Sequence, residues 1–228
     1  MLTLAVILVL GYLIGSVPSS VWLGKMVHGI DVRDYGSGNA GATNAFRVLG
    51  WKVGSSALLF DMGKGAFAAG VISQLRLGAL PSMGSWEADT VATVVALLAG
   101  LAAIVGHMFP LYLGFDGGKG VATTAGALLA ITPLTMLVVM AIFVAVLLPS
   151  GYVSLASMIS AVAFPVSVAV QIFVFGTGLN ISILVVGIVL ALGIIIAHRS
   201  NIRRLIAGEE NQFSSFRPAK GMIGRDEI

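Results

Sequence analysis

The chain of 228 residues is 57% hydrophobic and only 10% charged, whereas an ordinary soluble domain carries about 25% charged residues. A soluble fold could not bury so much apolar surface, so the composition excludes a soluble globular protein and indicates an integral membrane protein. The net charge of +3 is small and its basic residues lie between apolar runs, so we expect no nucleic-acid surface. The lack of cysteine excludes disulfides and thiolate catalysis.

Apolar runs long enough to predict membrane-spanning helices follow one another along the chain, since one crossing takes about 20 mostly apolar residues. They cover Leu2 to Leu23, Val53 to Leu75, Val91 to Phe109, Val121 to Leu148, Tyr152 to Phe175 and Ile181 to Ala197. The first run has no basic residue before it and no A-x-A-like site after it, which favours a retained span over a signal peptide.

The distribution of basic residues predicts how these spans are oriented. Lysine and arginine favour the cytoplasmic side, which places the loop from Lys25 to Lys52 and the segment after His198 inside, and the loop from Arg76 to Thr90 outside. Lys119 then also lies inside, and an even number of crossings must separate it from His198. The fourth run is too long for one straight span and contains Pro133, so we predict that it splits there into two short helices.

The predicted fold is therefore an all-α integral membrane protein, a seven-transmembrane-helix bundle with the N-terminus outside and the C-terminus cytoplasmic. We expect one membrane domain over residues 1–210. Residues 211–228 show no apolar periodicity, and we expect them to form a polar cytoplasmic tail.

The first inside loop has the composition of an anion-binding site, and it reads YGSGNAGATNAFR from Tyr35 to Arg47. Its glycines let the backbone approach a ligand closely, and its side chains supply hydrogen-bond donors and one fixed positive charge. The ligand predicted for such a loop is an oxyanion, phosphate above all. The candidate binding residues are Ser37, Gly38, Asn39, Gly41, Thr43, Asn44 and Arg47.

The second inside loop repeats this pattern. Gly117 and Gly118 precede Lys119 where a helix is predicted to begin, so free N–H groups, a helix N-terminus and an ammonium can converge on one phosphate. Gly120 follows Lys119 where a Walker A loop has Ser or Thr, so nucleotide hydrolysis is not expected. The candidate residues here are His107, Gly117, Gly118, Lys119, Gly120 and Thr123.

Two further places combine polar residues with predicted spans. Asp61 and Lys64 lie inside the second apolar run at a spacing that lets them pair on one helix face. They are candidates either for a structural ion pair or for substrate binding. His198 and Asn201 share a helix face at the end of the last span and are predicted to face the same cytoplasmic pocket.

Four sequence blocks taken together carry a family resemblance. They read GSGNAGATNAFRVLG, FDMGKGA, GHMFPLYLGFDGGKGVAT and HRSNIRRLIAGEE. In this order they resemble the signature blocks of the bacterial acyl-phosphate-dependent glycerol-3-phosphate acyltransferases, the PlsY type, from the first span to about Glu209. One departure is Asp116, where many relatives have a basic residue, and there we expect altered local charge rather than lost activity.

The resemblance implies a seven-helix enzyme of the bacterial inner membrane with its active site on the cytoplasmic side. Such an enzyme moves a fatty acyl group from acyl phosphate to the 1-hydroxyl of glycerol 3-phosphate, giving lysophosphatidate and phosphate, without a metal or other cofactor. Its partners would be these two substrates and membrane lipid. By matched position the resemblance implies catalytic roles for Ser37, Arg47, Lys119, His198 and Asn201, with Ser154 as a further substrate contact.

The residues suit this chemistry. Acyl phosphate is a mixed anhydride with a good leaving group, so orientation and charge neutralisation matter more than a covalent nucleophile. In the family a substrate phosphate helps to take the hydroxyl proton, whereas from the residues alone His198 or Asp61 are alternative bases. A transporter or channel for an anionic metabolite and a noncatalytic membrane scaffold are the rival interpretations.

Overall fold

The computed structural model describes residues 1–78 and 86–213, and within these ranges the chain forms helices and loops with no β-strand. The helices there are α1 Leu2–Gly15, α2 Ser19–His28, α3 Ala42–Gly70, α4 Ala88–Met108, α5 Val121–Ile131, α6 Pro133–Ser150, α7 Val153–Phe173, α8 Ile181–Ala197 and α9 Arg199–Ala207. The all-α class is confirmed. Most of the predicted tail, residues 214–228, and residues 79–85 of the predicted outside loop lie outside the described residues.

The predicted split of the fourth apolar run is confirmed. α5 ends at Ile131 and α6 begins at Pro133, and Thr132 between them has φ −134° and ψ 69°. Proline at the start of α6 has no N–H to continue the hydrogen bonding of α5, but it fits the first turn of a new helix. The chain therefore reverses here instead of forming one long helix.

Length and hydropathy support four or five membrane spans among the described residues. Four segments are long and apolar enough to cross, namely Leu2–His28, Ala88–Leu113, Pro133–Ser150 and Val153–Phe173, and α8 with α9 is a fifth, bent by 56°. α5 has 11 residues, a length of about 16 Å, which is less than the roughly 30 Å hydrocarbon core. The seven-span count and the orientation of the termini stay predictions.

α3 is longer than the second apolar run and breaks near its start. It begins at Ala42, inside the first glycine-rich loop, and is interrupted at Gly50, whose φ of 80° and ψ of −179° suit glycine. An added Cβ at Gly54 would lie 2.5 Å from the Phe46 ring, so the first segment of α3 folds back against the second. Arg47 therefore lies on a short helical segment of its own.

The helices pack through small residues. Gly65 of α3 lies so close to α5 that an added Cβ would be 2.1 Å from the carbonyl oxygen of Thr123, and an added Cβ at Gly126 of α5 would be 1.8 Å from that of Met62. Lipid tails are as apolar as the side chains, so close backbone approach supplies much of helix association in a membrane. Thr123, which the sequence predicts as a substrate-binding residue, is fully buried in this α3–α5 contact.

One apolar core lies where α6, α7 and α8 pack against α4 and α5, and all five helices contribute to it. Its buried members are Leu97, Leu128, Met136, Val139, Phe164, Val168 and Ile183. This core gives the functional site its apolar wall, because residues of α5 and α6 at its edge face the cavity described below.

Candidate active site

A cavity of about 370 Å³ lies where α3, α5 and α7 begin and α8 ends. Its polar lining comes from loops and helix ends, and includes Ser37, Asn39, Thr43, Arg47, Lys119, His198 and Asn201. Its apolar lining comes from α3, α5 and α6, and includes Leu58, Met62, Ala125, Met136, Val139 and Phe143. A second cavity of about 60 Å³ shares Ala125, Met136 and Val139 with the first. The site thus joins a hydrogen-bonding surface to an apolar one.

Asn44 holds the first glycine-rich loop in shape. Its Nδ2 donates to the carbonyl oxygens of Val32 at 2.9 Å and Tyr35 at 3.1 Å, and its Oδ1 accepts from the backbone N–H of Ser37 at 2.9 Å. Because the side chain is buried and bonded on both its oxygen and its nitrogen, the loop conformation depends on it. Ser37 is exposed at the cavity as a result.

A chain of hydrogen bonds joins three segments that are distant in sequence. Lys119 Nζ donates to Asn201 Oδ1, and Asn201 Nδ2 donates to Glu210 Oε1 at 2.6 Å. The same oxygen accepts from Ser154 Oγ at 2.8 Å, and Glu210 Oε2 accepts from Arg204 Nε at 2.7 Å. The loop before α5, the start of α7 and the segment around α9 are therefore connected at one point.

Glu210 is a site residue that the sequence did not identify. Its side chain is 7% exposed. Burial opposes its ionisation, but hydrogen bonds from Asn201, Ser154 and Arg204 outweigh burial and lower the pKa of Glu210 below its usual value. The sequence places Glu209 and Glu210 side by side after α9, and no periodic pattern there shows which one turns inward. In the structure Glu209 is exposed.

His198 ends α8 and is held in one orientation. Its Nδ1 lies 2.8 Å from the carbonyl oxygen of Ile194, so Nδ1 carries the proton and Nε2 is the free ring nitrogen of the neutral side chain. Burial lowers the pKa of Lys119 in the loop before α5, and the charge of Arg204 adds to the lowering.

Asp61, Lys64 and His107 form a buried cluster next to the cavity. Lys64 Nζ lies 2.9 Å from Asp61 Oδ1 and 2.8 Å from His107 Nδ1. The predicted pairing of Asp61 with Lys64 on one face of α3 is confirmed. Asp61 and His107 line the cavity, whereas Lys64 does not.

Most of the predicted site residues meet at this cavity. Those that line it are Ser37, Asn39, Gly41, Thr43, Asn44, Arg47, Asp61, His107, Lys119, Gly120, Ser154, His198 and Asn201. Those that do not line it are Gly38, Lys64, Gly117, Gly118 and Thr123. Polar lining residues that the sequence did not indicate are Ser157, Ser160, Ser200, Arg204, Glu210 and Asn211.

The sequence and fold place the chain among known proteins. A family model described as glycerol-3-phosphate acyltransferase matches residues 5–208. The chain belongs to the glycerol-3-phosphate acyltransferase family. A glycerol-3-phosphate acyltransferase of Salinibacter ruber (strain DSM 13855 / M31) is 53% identical over 229 residues, covering 100% of both chains. That of Chlorobium luteolum (strain DSM 273 / BCRC 81028 / 2530) is 44% identical and covers 94% of this chain and 98% of its own.

Two solved structures of an acyltransferase of this family share the fold. Both are of PlsY, an integral membrane glycerol 3-phosphate acyltransferase. Its glycerol 3-phosphate form matches with a TM-score of 0.78 and 33% identity, over 92% of this chain and 96% of that chain. Its lysophosphatidic acid form matches with a TM-score of 0.73 and 31% identity, over 92% and 94%. This family member is therefore an integral, multi-pass membrane protein of the PlsY type.

Proposed function

We propose that the protein transfers a fatty acyl group from acyl phosphate to the 1-hydroxyl of glycerol 3-phosphate, with lysophosphatidate and inorganic phosphate as products. The observation that carries this proposal is the cavity of about 370 Å³ in which hydrogen-bonding and cationic side chains adjoin apolar helix faces. One substrate is small and anionic and the other has a long apolar chain, so the reaction needs both surfaces at one place. Family membership supports the acceptor, and the residue chemistry supports the donor.

The polar surface suits the phosphate groups of the two substrates. We assign catalytic roles to Ser37, Arg47, Lys119, His198 and Asn201. Arg47 and Lys119 bring positive charge to the cavity, where burial strengthens their attraction to phosphate oxygens. The remaining predicted residues that line the cavity are proposed as substrate-binding positions or as supports of the two loops.

The chemistry of this surface favours acyl phosphate over a thioester as the acyl donor. The hydroxyl oxygen forms a bond to the acyl carbon, the bond from that carbon to the phosphate oxygen breaks, and phosphate leaves with the electron pair. The charge that develops on the departing phosphate is neutralised by cationic side chains. The thiolate of coenzyme A or of an acyl carrier protein is a poorer leaving group and carries a bulky polar moiety.

The hydroxyl proton has two candidate acceptors at this site. One is a phosphate oxygen of the substrate, and the other is the free Nε2 of His198. The His198→Ala variant distinguishes them in single-turnover experiments at saturating substrate. If its chemical rate equals that of the unaltered enzyme, His198 is not the base and its contribution is to binding.

The acyl chain requires an apolar path between lipid and site. Met136, Val139 and Phe143 of α6 line the cavity together with Ala125 of α5, and we propose that the chain lies along them. The donor then reaches the site from within the bilayer, whereas glycerol 3-phosphate enters from water.

The proposed location is the bacterial inner membrane, with seven spans and the active site facing the cytoplasm. Basic loop residues support this orientation. The hydrogen-bond chain from Lys119 to Ser154 supports the number of spans, because it brings the start of α5 and the start of α7 to the same end of the bundle. α5 and α6 together must therefore leave that end and return to it.

The proposal is tested with purified protein in detergent, labelled glycerol 3-phosphate and palmitoyl phosphate, palmitoyl coenzyme A or palmitoyl acyl carrier protein. We expect lysophosphatidate from palmitoyl phosphate alone. Comparable rates with a thioester would overturn the donor assignment, and no product from any donor despite glycerol 3-phosphate binding would overturn the enzyme assignment. In sealed proteoliposomes without an acyl donor, glycerol 3-phosphate uptake above protein-free vesicles would favour the transporter interpretation instead.

A further inference from the structure

We propose that the buried cluster of Asp61, Lys64 and His107 positions the glycine-rich loop Gly117–Gly120, and through it the ammonium of Lys119, instead of binding substrate. The inference rests on the proposed function, because Lys119 is assigned there to a substrate phosphate. His107 is in this view a positioning residue, which acts through the loop that it touches.

Lys64 has no donor left for a ligand. Its ammonium has three hydrogens, and three acceptors surround it: Asp61 Oδ1 at 2.9 Å, the carbonyl oxygen of Val17 at 2.9 Å and His107 Nδ1 at 2.8 Å. Its side chain is 6% exposed. A cation that is fully bonded and enclosed in this way neutralises Asp61 inside the bundle and fixes its neighbours.

The cluster fixes the orientation of the His107 ring. Nδ1 lies 2.8 Å from Lys64 Nζ and 3.4 Å from Asp61 Oδ1, so this nitrogen points into the cluster and Nε2 lies on the opposite edge of the ring. Nε2 faces Gly118, where an added Cβ would lie 2.1 Å from it. The imidazole edge therefore occupies the space that a side chain at position 118 would need.

The loop rests on His107 through its backbone as well. The N–H of Gly118 donates to the carbonyl oxygen of His107 at 3.1 Å, and an added Cβ at Gly117 would lie 2.2 Å from that oxygen. Both glycines lie outside the cavity lining, on the side toward α4, whereas Lys119 and Gly120 line it. The loop thus packs on the last turn of α4, and Lys119 lies on its cavity side.

Asp61 connects the end of α4, on which the loop rests, to the start of α2. Its Oδ1 accepts from Ser19 Oγ at 2.6 Å, so α2 joins the cluster, and Val17, bonded to Lys64, belongs to the turn between α1 and α2. The beginning of α2, the middle of α3 and the end of α4 are therefore tied together beneath the loop. A ligand-binding ammonium held in this way is ordered before substrate arrives, which lowers the entropic cost of binding.

A double-mutant cycle between His107 and Lys119 tests the inference. We expect His107→Ala to lower kcat/KM for glycerol 3-phosphate by about tenfold, mainly through KM, a size typical of residues in one network. In a Lys119→Arg background, where the cation is already displaced, the same change should cost less than about twofold. Effects that multiply would overturn the inference, because His107 would then contribute independently of Lys119.

A suppressor experiment tests the contact between His107 and Gly118 by changing Gly118 first. Gly118→Ala places a methyl group against the imidazole and should impair activity, and adding His107→Ala should make room for that methyl group. We expect the double variant to exceed Gly118→Ala in kcat/KM, and a double variant that is no better would contradict the contact. Val95→Ala, a buried change elsewhere in α4, is the matched control and should leave KM unchanged.

Thermal unfolding of each variant separates positioning from loss of the fold. If His107→Ala is recovered unfolded, His107→Gln, which keeps an acceptor for Lys64, takes its place in the cycle. The two proposals fail differently: an unaltered protein that forms no lysophosphatidate contradicts the proposed function, whereas an active protein with multiplicative effects contradicts only the positioning role.

Discussion

At the scale of single residues, the site depends on the carboxylate of Glu210, which is bonded to other side chains of the protein. Glu210 accepts from Ser154, Asn201 and Arg204. All three of these residues line the cavity, and we assign two of them, Ser154 and Asn201, to substrate, so Glu210 fixes the geometry of substrate-contacting groups. Its negative charge also offsets the mutual repulsion of the nearby cations Lys119 and Arg204.

We expect Glu210→Ala to reduce both stability and activity. Each hydrogen bond to a charged group contributes about 1.5–3 kcal/mol, and the change leaves three donors without their acceptor. The expected result is a kcat/KM lowered by about tenfold or more together with a lower Tm. Glu209→Ala, a change at the exposed neighbour, is the control, and equal losses in the two variants would refute the role of Glu210.

The pH dependence of stability provides a second test at this scale. The folded state lowers the pKa of Glu210 below its ordinary value of 4.5, so the unfolded chain binds a proton at this carboxylate first as pH falls. The contribution of Glu210 is therefore fully present above about pH 4.5 and is lost as pH falls through its lower folded pKa. Comparison of Tm between about pH 7 and pH 3.5 should show a smaller decrease for Glu210→Gln than for the unaltered protein. An identical decrease in both would contradict the lowered pKa.

At the scale of elements, the break between α5 and α6 supplies the apolar wall of the site. Because the chain reverses at Pro133, Ala125 of α5 and Met136 and Val139 of α6 face the same two cavities. One long helix through this region would place these residues along a line, and no enclosed surface would form. The break between α5 and α6 therefore shapes the active site as well as the fold.

A larger side chain in the apolar wall should change the preference for acyl-chain length. We expect Ala125→Phe to lower the rate with palmitoyl phosphate about tenfold more than with an eight-carbon acyl phosphate, because the longer chain loses more apolar contact, at about 0.8 kcal/mol per methylene. Leu134→Phe, at a position 76% exposed on α6, is the control and should not alter the ratio. An unchanged ratio in Ala125→Phe would place the acyl chain elsewhere.

Much of this arrangement could be predicted from the sequence, and the failures have physical reasons. The last apolar run coincides with α8, and Pro133 marks a break, because apolarity and a missing N–H are local properties. The helical start of α3 and its interruption at Gly50 were not predicted, since a polar glycine-rich segment reads as a loop. Glu210 was missed because its partners come from α7 and α9, and only tertiary structure brings them together.

At the scale of the whole molecule, the seven-span topology can be tested because the chain has no cysteine. Single cysteines are introduced at Lys25, Leu134, Ser150 and Thr177 and treated in intact cells with a membrane-impermeant thiol reagent. We expect labelling from outside at positions 134 and 177, and labelling at 25 and 150 only after permeabilisation. Position 150 labelled from outside would refute the two crossings, and position 134 protected from both sides would indicate a re-entrant hairpin.

Glu210 follows all the helices that the structure describes, which has a consequence for how the enzyme is made. Chains are synthesised and begin to fold from the N-terminus, so the glycine-rich loops and the apolar wall leave the ribosome before this carboxylate. Ser154 precedes Glu210 by 56 residues, whereas Asn201 and Arg204 precede it by only nine and six. The contacts that join α7 to the segment around α9 therefore form late in synthesis, and full activity depends on the last part of the chain that the structure describes.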